Sequence, residues 1–166
     1  MAETPAAPLA TPTDLKSNEV ATVADALNAA LSDAYALYLK TKNFHWHASG
    51  PHFRDYHLLF DDQATQILEV TDAIAERVRK TGNTTLRSIG DIARRQSIAD
   101  NDQEFVTPDA MLAELRDSNL QLVERFRKAR ELAEEANDTP TSSLADEWID
   151  QAEERAWFLF EASRKG

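Results

Sequence analysis

The chain has 166 residues, 42% of them hydrophobic, enough for one domain with a buried core. It contains no cysteine, so disulfides and thiolate metal sites are excluded, and any metal must be held by imidazole and carboxylate. Its net charge of −11, from 29 acids against 18 bases, argues against a general phosphate-binding surface and suits a protein that gathers cations.

In chain order, residues 1–17 are rich in Ala and Thr and hold Pro5, Pro8 and Pro12, which predicts a flexible tail ahead of a single domain over 18–166. The start lacks the basic and apolar regions of a signal peptide, and no apolar run approaches the ~20 residues of a membrane span. A cytoplasmic protein without membrane contact is the expectation.

The first helical pattern runs from about Asn18 to Trp46, with Val20, Val23, Leu27, Leu31, Ala34 and Tyr38 at three- and four-residue steps. Gly50 and Pro51 stop it, and a second pattern starts at about Pro51. Its apolar stripe is Phe53, Tyr56, Phe60, Ala64, Ile67, Thr71, Ile74 and Val78, and Gly82 ends it as a helix C-cap glycine would. The segment TTLRSIGDIARRQSI predicts a short helix inside a long connection. Thr107 and Pro108 then open a third long helix, with Met111, Leu115, Leu122, Phe126, Ala129 and Ala133 on its core face. A fourth begins near 139–141 and carries Leu144, Trp148, Ile149, Ala152, Ala156 and Leu159. Four long amphipathic helices with one long crossover predict an all-α, ferritin-like four-helix bundle, with a short extra helix between the second and third.

All four histidines, His45, His47, His52 and His57, lie in the run NFHWHASGPHFRDYHLLFDD. His57 and Asp61 share a helix face at i,i+4, as do Asp72 and Glu76, and both pairs fall on one stripe beside the core stripe. The pairs are centred ~22 Å apart along the helix, whereas a metal ligand must lie ~2 Å from its ion. Two copies of this helix crossing antiparallel about a point between residues 66 and 67 would bring them together. His57 of one chain then faces Glu76 of the other, and Asp61 faces Asp72. His45, at the end of the first helix, is placed to join His57. Two imidazoles and three carboxylates suit Fe(II), Zn or Mn better than Ca or Mg. His47 and His52 have no matching carboxylate and are read as surface or helix-end residues. The Glu-x-x-His pairs of ordinary intra-bundle di-iron sites are missing: Lys42, Phe44, Ser49 and Arg54 stand three residues before the histidines.

FHWHASGPHFRDYHLLFDD followed by TDAIAERVRKTG resembles the two signature segments of the Dps family, the mini-ferritins named for DNA protection during starvation. The likeness is most specific from Asn43 to Gly82, and the helix order agrees over about 18–164. Ala48 and Thr71 depart from it where larger apolar residues are usual. The resemblance implies His45, His57, Asp61, Asp72 and Glu76 as ligands of an iron centre, with di-iron binding and zinc as a substitute. Glu76 would be the carboxylate that bridges two irons. It implies a dodecameric shell with ferroxidase sites at two-fold interfaces. Fe(II) would be oxidised there, by hydrogen peroxide in preference to oxygen, and stored as ferric mineral, protecting against oxidative damage. It also implies acidic pores, for which Asp138, Asp146 and Asp150 are candidates.

The alternative is a DNA-binding nucleoid protein of the same fold. Against it, residues 1–20 hold one base, Lys16, beside Glu3, Asp14 and Glu19, and the C-terminal SRKG adds only two. Such segments release few counterions on meeting DNA, so weak or no DNA binding is expected.

Overall fold

The computed structural model describes residues 7–165. The helices are α1 (Ser17–His47), α2 (Phe53–Lys80), α3 (Ile89–Arg95), α4 (Pro108–Glu135) and α5 (Thr139–Ser163), preceded by a 3-10 turn at Ala7–Leu9. No strand occurs among the described residues. The architecture is the expected all-α bundle: α1 lies along α2, α4 along α5, α1 against α4, and α3 rests on α1.

The caps explain the boundaries. Thr107 accepts a bond from the Ala110 amide, and Pro108 follows as the first helical residue of α4. At the end of α2, Gly82 has φ +86°; its N–H reaches Arg79 O and that of Asn83 reaches Val78 O, the two bonds of a Schellman ending. Asn137, at φ 56°, ends α4 in the same way through Glu134 O and Ala133 O. Pro51, expected to open the second helix, lies instead in the turn before it. Gly50 at φ +99° and a bond from Phe53 N–H to Gly50 O reverse the chain there, and that reversal uses up Pro51 and His52.

The apolar stripes meet in one core that includes Leu27, Leu31, Leu37, Phe44, Phe60, Ile67, Ile74, Leu115, Leu122, Phe126 and Leu159, all at most 1% exposed. Burying each such side chain contributes roughly 1.5–3 kcal/mol. Phe53, read from the sequence as core, is 44% exposed: it is the first residue of α2, and its ring lies against His57 at 5.0 Å between centroids, outside the buried core. The bundle interior also holds a polar group of amides and one cation. Arg155 Nε donates to Asn119 Oδ1 at 2.8 Å, and Gln63 Nε2 donates to Arg155 O at 3.1 Å. Burial lowers the Arg155 guanidinium to about 10, which leaves it cationic at neutral pH.

Residues 1–6 of the predicted tail lie outside the described residues. Farther along, Arg79 Nη2 donates to Leu9 O at 2.8 Å, so this stretch is laid over the end of α2.

Candidate metal centre

His45 ends α1 and His57 opens α2, and the tight reversal at Gly50 brings their rings together. They stack at 3.8 Å between centroids, 18° from parallel. Each ring is held by the other residue's backbone: His45 Nδ1 lies 2.7 Å from His57 O, and His57 Nδ1 lies 2.8 Å from His45 O. A carbonyl oxygen only accepts, so both Nδ1 atoms carry protons and both Nε2 atoms keep bare lone pairs in the neutral rings. That is the tautomer a metal-binding imidazole needs, with the backbone supplying the orienting partner.

Asp61 stands one turn beyond His57. Its Oδ1 lies 3.8 Å from His45 Nε2. Its carboxyl is held below the ordinary range, chiefly by the bond from Lys42 Nζ at 2.7 Å and then by the charge of Lys42, against an opposing desolvation. Lys42 was not among the expected site residues. Its spacing three residues before His45 places it on the same face of α1, the one signal of it in the sequence. Trp46 lies beside it, with Nζ 5.7 Å from the ring centroid.

Asp72 and Glu76 lie on the outward face of α2, both exposed. Glu76 meets only Lys80, at 3.3 Å, and Asp72 has no side-chain partner among the described residues. The chain thus brings His45, His57 and Asp61 together and leaves Asp72 and Glu76 apart from them. Among the described residues, no cluster of histidine and acidic side chains is complete enough within one chain to hold a metal ion. His47 bonds back to Asn43 O and Oδ1 at 2.8 Å each, and the His52 ring tilts against Tyr56 at 5.8 Å, the helix-end roles expected of them.

The expected pore set needs one correction. Asp138 is fully buried. It caps α5 through the Thr141 amide and accepts from Arg77 Nη2 at 2.7 Å, so it cannot line a channel. It is the last residue of the α4 ending and the N-cap of α5 at once, and Arg77 of α2 closes over it. Asp146 and Asp150 are exposed, and Asp146 is paired with Arg130.

Residues 24–165 match the family described as Ferritin-like domain. The chain is 31% identical to a DNA protection during starvation protein of Agrobacterium fabrum, over 90% of this chain and 92% of that protein. Its fold is similar to an archaeal Dps homologue of Halobacterium salinarum, with a TM-score of 0.89 and 27% identity over 99% of this chain and 93% of that one. It is similar also to a Vibrio cholerae Dps protein described as a member of a broad superfamily of ferritin-like diiron-carboxylate proteins, with a TM-score of 0.87 and 25% identity over 93% of this chain and 98% of that one.

Proposed function

The chain belongs to the Dps family of ferritin-like proteins, and from that premise we propose that it oxidises Fe(II) at centres shared by paired subunits and stores the ferric product inside a shell. The observation that carries this reading is the half-centre formed by His45, His57 and Asp61. Two imidazoles with bare Nε2 atoms and a carboxylate near one of them form a donor set suited to iron or zinc, but too few ligands to enclose an ion. The missing carboxylates, Asp72 and Glu76, stand solvent-exposed on the same helix at the positions a two-fold axis would bring opposite.

The protein's part in the reaction is geometry and charge. His45 and His57 fix the ion through nitrogen. Asp61, with Asp72 and Glu76 of the partner subunit, supplies anionic oxygen, which stabilises the higher charge of Fe(III) more than that of Fe(II) and so favours oxidation. Glu76 would be the carboxylate shared by two irons. Hydrogen peroxide is the proposed oxidant. Each molecule would take one electron from each of two ferrous ions and two protons from solvent, its O–O bond being cleaved to give two waters, so both reactants of hydroxyl-radical chemistry are removed together. Zinc would occupy the same ligands without turnover.

Assembly into twelve subunits follows from the same reading. Leu39, Trp46, Leu58, Leu68 and Ile89 leave large apolar surface exposed on α1, α2 and α3, and a partner copy would cover it. Asp146 and Asp150 remain proposed pore residues, where a negative field would draw cations inward. A DNA-compacting role is disfavoured, since the tail's single base, Lys16, is itself paired with Glu19 at 3.2 Å.

Anaerobic protein given Fe(II) and then peroxide should show a saturable fast rise in ferric absorbance, and His57→Ala with Asp61→Ala should abolish it. A wild-type protein with no saturable fast phase would defeat the proposal. A DNA band retarded at moderate salt without divalent metal would restore the alternative.

A further inference from the structure

Lys42 occupies an oxygen that the proposed centre needs. Its Nζ donates to Asp61 Oδ1 at 2.7 Å, and its side chain is 19% exposed against 47% for Asp61. The pair joins α1 to α2 across the mouth of the half-centre, beside His45. A divalent ion bound through Asp61 Oδ1, the oxygen 3.8 Å from His45 Nε2, would meet a like charge there, so ion and ammonium compete for that atom.

The ammonium already has a second partner. Trp46 lies one turn farther along α1, on the same face, and its ring centroid is 5.7 Å from Nζ. The ring face is electronegative and attracts a cation. Carboxylate and ring therefore hold Nζ together, and the ring contact does not depend on Asp61.

We infer that Lys42 is a resident counter-cation of Asp61 that an incoming metal displaces, and that the Trp46 ring, already beneath the ammonium, retains it when the carboxylate contact breaks. This rests on the reading of Asp61 as a metal ligand. Without metal, Lys42 keeps the carboxylate paired and ordered beside the imidazoles. With metal, the contact must be broken, so every ion binds against an internal competitor. A cation that gains little from imidazole and carboxylate fails to displace it, and Lys42 acts as a specificity-determining residue through the threshold it sets.

The test uses the full-length assembled protein and Zn(II) alone, which binds without redox change. Calorimetric titration of wild type, Lys42→Met and Lys42→Gln compares affinity and stoichiometry. Both substitutions should tighten Zn(II) binding by about tenfold at unchanged stoichiometry, and adding Asp61→Asn to Lys42→Met should remove the gain. Zn(II) should also change indole emission in wild type, and that change should vanish in Lys42→Met and in Trp46→Phe. Unchanged or weaker Zn(II) binding in both lysine variants, with wild-type circular dichroism and assembled mass, would overturn the competitor role. An emission change that persists in Lys42→Met would overturn the indole seat. If wild type binds no Zn(II), or if His57→Ala and Asp61→Asn bind it as wild type does, the metal-centre reading itself fails and the inference with it.

Discussion

His45 and His57 are each oriented by the other's main chain, so neither ring depends on a distant side chain for its position. Replacing one ring leaves the other's carbonyl partner in place, and the loss on mutation is therefore the loss of a ligand. His57→Ala should eliminate the fast ferrous oxidation phase, whereas His47→Ala and His52→Ala, whose rings touch only helix-end neighbours, should retain it in stopped-flow absorbance. Asp138 argues at the same scale about stability. It is fully buried and shared by Arg77, the Thr141 amide and the Thr141 hydroxyl, so Asp138→Ala removes a cap and strands a guanidinium. A loss of about 3 kcal/mol is expected, read from urea unfolding. The Lys42–Asp61 pair has a pH signature. Asp61 titrates below its ordinary value in the folded chain, chiefly through the Lys42 bond, so the pair's contribution is fully present above the unfolded carboxylate pKa. It is lost as pH falls through the lower folded value. The stability difference between wild type and Lys42→Met should hold constant from neutrality to about pH 4 and close below it.

The helices end where backbone chemistry requires. Both Schellman endings need a residue at positive φ, supplied by Gly82 after α2 and by Asn137 after α4. Asparagine tolerates that conformation and glycine adopts it freely, so Asn137→Gly should change stability by less than about 1 kcal/mol. Gly82→Ala differs for two reasons. A methyl group there would sit at φ +86° and 3.1 Å from Thr11 O, against the stretch that Arg79 holds at Leu9. A loss of about 1–2 kcal/mol is expected in denaturant melts. Of these boundaries the Gly82 ending and the Thr107–Pro108 start are legible as residue types, whereas the ending at Asn137 shows only in the backbone. The reversal at Gly50 was legible only as a stop, because whether Pro51 lies inside or before a helix depends on how closely α1 and α2 must approach.

A single copy leaves unfinished surfaces. Ile89 is 80% exposed and Leu39 58%, on neighbouring helices α3 and α1. If these faces are covered in the proposed shell, their replacement together by Glu should dissociate it, shifting the mass in light scattering from the proposed twelve 18.6-kDa chains, roughly 220 kDa, towards smaller species, while helical circular dichroism persists. The helix count, the crossover and the core faces of α4 and α5 could be read without coordinates, because a 3.6-residue repeat records which side of a helix is buried. For the same reason four of the five proposed ligands, His57, Asp61, Asp72 and Glu76, could be picked out as a stripe beside the core of α2, with His45 added from the end of α1. Phe53 fitted its stripe and still lies exposed, since periodicity names a face and not what packs against each turn of it. Asp138 looked like any acid near a helix start until Arg77, 61 residues away in the chain, was seen to close over it. Lys42 and Asp61 belong to different helices and are joined only by the packing of α1 on α2. The sequence alone determined which face each helix presents, because that is a local property of spacing. Only the tertiary structure decided which charged group from another helix meets that face, because such contacts depend on the distance and rotation between packed helices.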